Sequence, residues 1–108
     1  MDANILKSVY FIGAGGIGMS ALVRYFLSEG KQVAGYDKTA CTLTDKLIEE
    51  GADIHFEENP DLIPADFRNK EKTLVIYTPA IPKEHKEWEY FRTNSFEIKK
   101  RAEVLGLI

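Results

Sequence analysis

The feature that most constrains this chain is Gly13-Ala14-Gly15-Gly16-Ile17-Gly18, a G-x-G-x-x-G run set between a short apolar stretch and a helical periodicity. Val9, Tyr10, Phe11 and Ile12 form the apolar stretch, bounded by Ser8 and Gly13, as expected of a parallel strand buried on both faces. Downstream, Ile17, Ala21, Leu22, Tyr25 and Phe26 recur at helical spacing, which predicts a helix over 17–28, and Gly30 stands where a helix-ending glycine belongs. In such a strand-loop-helix, Gly13 permits the tight turn, Gly15 lets the backbone approach a ligand, and Gly18 lets helix and strand pack closely. The amides of Gly15, Gly16 and Ile17 are left at a helix N-terminus, where they bind a diphosphate without any basic side chain. NAD, FAD and nucleotide sugars all carry that group, so the motif does not choose among them.

The rest of the chain repeats the alternation. A strand over 32–36 ends at Asp37, a helix over 43–50 is closed by Gly51, and 53–56 is a weaker strand. Asn59, Pro60 and Pro64 mark an irregular connection before a Val/Ile-rich strand over 73–77. Pro79 and Pro82 bracket a loop, 84–93 reads as a helix, 96–99 as a brief strand, and Ala102 begins another helix. Short connections between alternating strands and helices predict the α/β class: one Rossmann-like domain over 1–108, an open parallel sheet of about five strands with helices on both faces. Leu105, Gly106, Leu107 and Ile108 are apolar and carry no stop signal, so the last helix is expected to continue into a longer protein.

Composition removes whole classes of function. At 108 residues the chain buries roughly two-thirds of its unfolded surface. With 44% hydrophobic residues it is too apolar for a disordered one. A net charge of -3 provides no basic field for nucleic acid, so a phosphate must be met locally. Cys41 is the sole cysteine, which excludes an internal disulfide and a thiolate zinc cluster. Neither a signal peptide nor a run of ~20 apolar residues is seen, so the expected setting is the cytoplasm, away from the membrane.

Asp37, at the end of the second strand, stands where an acidic side chain reaches ribose hydroxyls; it equally suits a base N–H, or a cap for the helix beginning near Cys41. Lys38 and Thr39 offer backbone groups beside it. Thr78-Pro79-Ala80-Ile81-Pro82 follows the fourth strand and should face the same crevice, with Thr78 as a hydroxyl contact or the stretch as a ligand-free loop. His55 and His85 are isolated in sequence and receive no role, Trp88, Tyr90 and Phe91 are expected to pack a helix onto the sheet, and Lys99, Lys100 and Arg101 read as a solvated strand end. There is no activated nucleophile, metal cluster or Walker loop, so the chain is expected to bind without catalysing.

Taken together, 11–20, Thr78-Pro79-Ala80-Ile81 and Arg101-Ala102-Glu103-Val104-Leu105 resemble the N-terminal domain of the Mur ligases. The resemblance covers nearly the whole chain. It implies a three-domain cytoplasmic enzyme of peptidoglycan synthesis that uses ATP and magnesium to form an acyl phosphate on the carboxylate of UDP-N-acetylmuramate, which the amine of L-alanine attacks. This chain then holds the UDP end: the glycine stretch Gly13, Gly15, Gly16, Ile17 and Gly18 cradles the diphosphate, Asp37 and Lys38 meet the uracil, and Thr78 lines the same cleft. ATP and L-alanine belong to domains beyond this chain, which itself binds no cofactor. One departure stands out, since relatives often carry a histidine after the third strand where this chain has Glu57 and Glu58. Two readings from other classes remain open at this point. The coenzyme domain of an NAD-dependent oxidoreductase shares the glycine loop and Asp37, and a nucleotide-sensing module shares the composition. A sibling ligase that reuses muramoyl tripeptide shares the UDP-binding logic.

Overall fold

The computed structural model describes residues 6–105 apart from positions 16, 80 and 83. Five strands, β1 (Ser8–Ile12), β2 (Gln32–Tyr36), β3 (Asp53–His55), β4 (Thr73–Tyr77) and β5 (Glu97–Lys100), pair in parallel in the order β3-β2-β1-β4-β5. Four helices accompany them: α1 (Ile17–Ser28), α2 (Thr42–Glu49), α3 (Lys86–Thr93) and α4 (Arg101–Leu105). The irregular connection after β3 folds into two short 3₁₀ turns, Pro60–Leu62 and Ala65–Phe67. The expected α/β class, parallel sheet and helices on both faces are all present.

Both faces of the sheet are apolar because β1 alternates its side chains between two cores. Val9 and Phe11 face α1, α2 and α4, packing with Met19, Leu22, Val23, Phe26, Leu47 and Val104. Tyr10 and Ile12 face the other way, onto Ile63, Phe67, Phe91 and Phe96. Each fully buried side chain of this size stabilises the fold by roughly 1.5–3 kcal/mol. Gly35 in β2 sits opposite Phe11, and a Cβ there would fall 2.5 Å from the Phe11 carbonyl oxygen, so the two central strands meet at a spacing only glycine allows.

The element boundaries sharpen the sequence reading. α3 starts at Lys86 rather than at 84, because His85 is its N-cap and accepts the Glu87 N–H on its ring. β5 excludes Phe96, which packs in the core, and α4 begins at Arg101. Arg101 is therefore half-buried at a helix start and not part of a solvated strand end. Gly30 and Gly51 end their helices with φ of +79° and +119°, as their positions in the sequence require.

Candidate functional site at the switch point

The connection from β1 runs to β2 on one side, and β4 lies on the other, so a crevice opens beyond the carboxyl ends of β1 and β4. The glycine loop forms its floor. Gly13 has φ +98°, the left-handed conformation needed for the tight turn out of β1. Its N–H and that of Ala14 both donate to the Tyr36 carbonyl, at 2.7 and 3.0 Å, stitching the loop to the end of β2. Gly13 thus shapes the turn, and the amides left to receive a ligand are those further along, at the start of α1. Gly16 lies outside the described residues.

Side chains from several parts of the chain converge on the glycines of this loop. A Cβ on Gly13 would lie 3.3 Å from both Cγ2 and Oγ1 of Thr78, which puts the predicted Thr78 at the loop. On Gly15 it would lie 2.5 Å from Oδ2 of Asp37 and 2.9 Å from Cγ2 of Thr44. Gly15 therefore permits close approach, here by the Asp37 carboxylate, which sets Asp37 beside the loop. Asp37 does not cap α2. That N-cap is Cys41, whose N–H donates to Thr44 Oγ1 at 2.8 Å, while the Asp37 N–H donates to the His55 carbonyl at 3.1 Å. Lys38 is exposed beside it, and Ala80 of the loop after β4 lies outside the described residues. On the far side a Cβ on Gly18 would fall 2.0 Å from Nη1 of Arg101, a residue the sequence reading had left in solvent.

The two histidines are not isolated. His55, at the end of β3, lies 2.7 Å through Nε2 from Oε2 of Glu87, a carboxylate with 0% exposure that also accepts the Tyr10 hydroxyl and, at 3.1 Å, the Asn59 N–H. Tyr36 stands between the imidazoles, its ring 5.9 Å from His55 and 4.7 Å from His85. Glu58 accepts the Lys86 N–H at 3.0 Å and lies 3.6 Å from His85 Nε2, so it closes the start of α3, while Glu57 is exposed. Burial lowers the proton affinity of His85, against the pull of Glu58 and Glu87. Burial and then the Glu87 carboxylate hold the Tyr10 phenol protonated far above its ordinary range. This network underlies the end of β2 that carries Asp37. Tyr90 and Trp88 are partly buried against the core with Phe91, as the sequence reading expected.

Fold and loop together define a doubly wound α/β domain with a glycine-rich strand-to-helix turn at its switch point, the class that accepts nucleotide-bearing ligands. The chain belongs to the Mur ligase family: the family model described as "Mur ligase family, catalytic domain" matches residues 8–108. It is 68% identical over 108 residues to the UDP-N-acetylmuramate–L-alanine ligase of Phocaeicola vulgatus and 59% identical to that of Parabacteroides distasonis, covering 100% of this chain and 24% and 23% of those relatives. The chain thus spans about a quarter of the length of the curated relatives it matches. Among solved structures it resembles UDP-N-acetylmuramate–alanine ligase from Thermotoga maritima, with TM-score 0.79, 29% identity, and coverage of 91% of this chain and 21% of that one. The ligase of Neisseria meningitides that joins UDP-N-acetylmuramate to a tripeptide shares the fold, at TM-score 0.78 and 17% identity. These matches do not favour the oxidoreductase reading.

Proposed function

We propose that this domain holds the UDP part of UDP-N-acetylmuramate within a longer, ATP-dependent ligase that adds L-alanine to that nucleotide sugar in the cytoplasm during peptidoglycan synthesis. The observation that carries the reading is the convergence of Asp37 and Thr78 on the glycine loop, in a chain whose relatives are named for that substrate. The diphosphate lies over Gly13, Gly15, Gly16, Ile17 and Gly18, with the donors at the start of α1. Asp37 and Lys38 take the uracil, and Thr78 lines the cleft. ATP, magnesium and L-alanine are met by the rest of the longer protein. Among the described residues no group of three or more His, Cys, Asp or Glu is placed to hold a metal ion. Nor is any helix among them long and apolar enough to cross a membrane.

Calorimetric titration with UDP-N-acetylmuramate, UDP and NAD, on the parent chain and on Asp37→Ala, tests the reading. Saturable binding of both UDP ligands, weakened by the substitution and absent for NAD, is the expected result. Binding of NAD alone would overturn it.

A further inference from the structure

We propose that Arg101 is a ligand-binding residue, its guanidinium taking anionic oxygens of the second phosphate of a nucleoside diphosphate held on the glycine loop. The inference rests on the UDP reading above and adds to it a residue, and a charge, that the glycine motif lacks.

Placement is the first observation. A Cβ on Gly18 would fall 2.0 Å from Nη1, 2.8 Å from Cδ and 3.0 Å from Cζ of Arg101. The guanidinium therefore occupies the space a side chain at 18 would fill, against the first turn of α1 where the loop opens into the helix. Glycine at 18 leaves that space open to Arg101.

Electrostatics is the second. Arg101 is half-buried, yet among the described residues it forms no ion pair. Glu103, the acidic residue in the first turn of α4, accepts the Lys100 N–H at 3.2 Å instead. Among the described residues this half-buried cation thus meets no acidic partner, and beside Gly18 in the first turn of α1 it adds to the positive end of the helix, a field that suits an anion.

Layout is the third. Gly15 faces Asp37 and Thr44 on the β2 side, Gly13 faces Thr78, and Gly18 faces Arg101 at the end of β5. A nucleotide with its base at Asp37 runs its phosphates along the loop away from β2, and the phosphate furthest from the nucleoside arrives at Arg101. The planar fork of a guanidinium pairs with two oxygens of such a group.

The test compares UDP with UMP, which lacks that second phosphate, by calorimetry on the parent chain, Arg101→Met and Arg101→Lys. Methionine retains an apolar stem over Gly18 and removes the charge. Arg101→Met is expected to weaken UDP by about 10- to 100-fold and to leave UMP within about twofold, with Arg101→Lys in between. Unchanged UDP affinity in Arg101→Met overturns the assignment. Equal losses for UDP and UMP mark a structural role and also overturn it. If the parent chain binds neither nucleotide, the UDP reading itself fails, and the Arg101 assignment with it.

Discussion

Tyr10, in the central strand β1, donates its hydroxyl proton to Glu87 in α3, 77 residues further along the chain. Through that one carboxylate the sheet, the end of β3 and the loop carrying Asn59 are tied to the same helix. A fully buried carboxyl group is tolerated only when its oxygens find polar partners, and Glu87 has three around it: the Tyr10 hydroxyl, the His55 ring and the Asn59 N–H.

Removing that carboxylate leaves the Asn59 N–H without its acceptor and the Tyr10 hydroxyl and His55 ring with only each other, 3.3 Å apart. Glu87→Ala is expected to lower unfolding free energy by about 3–5 kcal/mol, and Tyr10→Phe, which removes a single donor, by about 1–3 kcal/mol. Urea denaturation followed by circular dichroism measures both. A loss below about 1 kcal/mol in Glu87→Ala would show that the network contributes little.

Two glycine substitutions separate binding from backbone strain. A methyl at Gly15 strikes the Asp37 carboxylate, so Gly15→Ala should abolish measurable UDP binding in calorimetry. A methyl at Gly30 meets nothing within 4 Å but forces alanine to φ +79°, which costs about 1–3 kcal/mol of stability and leaves affinity unchanged. Loss of binding in Gly30→Ala, or its retention in Gly15→Ala, would contradict this division.

Gly35→Ala probes the spacing of the two central strands. Its Cβ would sit 2.5 Å from the Phe11 carbonyl oxygen, and a backbone atom in mid-strand has nowhere to withdraw. Destabilisation of about 1–3 kcal/mol or more is expected in thermal unfolding, and an unshifted midpoint would mean that the strands separate more easily than this packing implies.

Acid should weaken the fold through His85. Its proton affinity is lower in the folded chain than its ordinary value of about 6.5, so on acidification the unfolded chain takes up the proton first. Stability contributed by the neutral imidazole is complete above about pH 6.5 and is lost as pH falls below it towards the folded-state value. Denaturation midpoints measured from pH 8 to pH 5 should fall more steeply for the parent than for His85→Gln, and equal slopes would remove His85 as a cause.

What the sequence displayed was what depends on near neighbours. The glycine loop, the five strands and the glycines ending α1 and α2 each follow from a local run of residues, and all were legible. That Asp37 and Thr78 lie beside the glycine loop was legible because each follows a strand whose carboxyl end borders the crevice. Glu87 was not, since a charged residue in a short helix usually faces water, and its partners come from β1, β3 and the loop after it. The same distance hid the histidines: His55 meets its acid on α3, and His85 meets Glu58 across the connection before β4. Arg101 was misread because a run of basic residues looks solvated until one knows that the strand ends at Lys100 and that Gly18 leaves room for the next side chain.

That Arg101 reaches Gly18 has a bearing on how the domain comes into being on the ribosome. The floor of the cleft is written near the start of the chain and one of its walls near the end, so synthesis delivers the loop long before the residue that leans on it. Both strands that flank β1, namely β2 and β4, precede Arg101 in the chain, whereas the arginine itself comes only after β5. On the assignment proposed above, the cleft gains its arginine only when β5 and α4 have been made, so the anion site is the last part of this fold to be written.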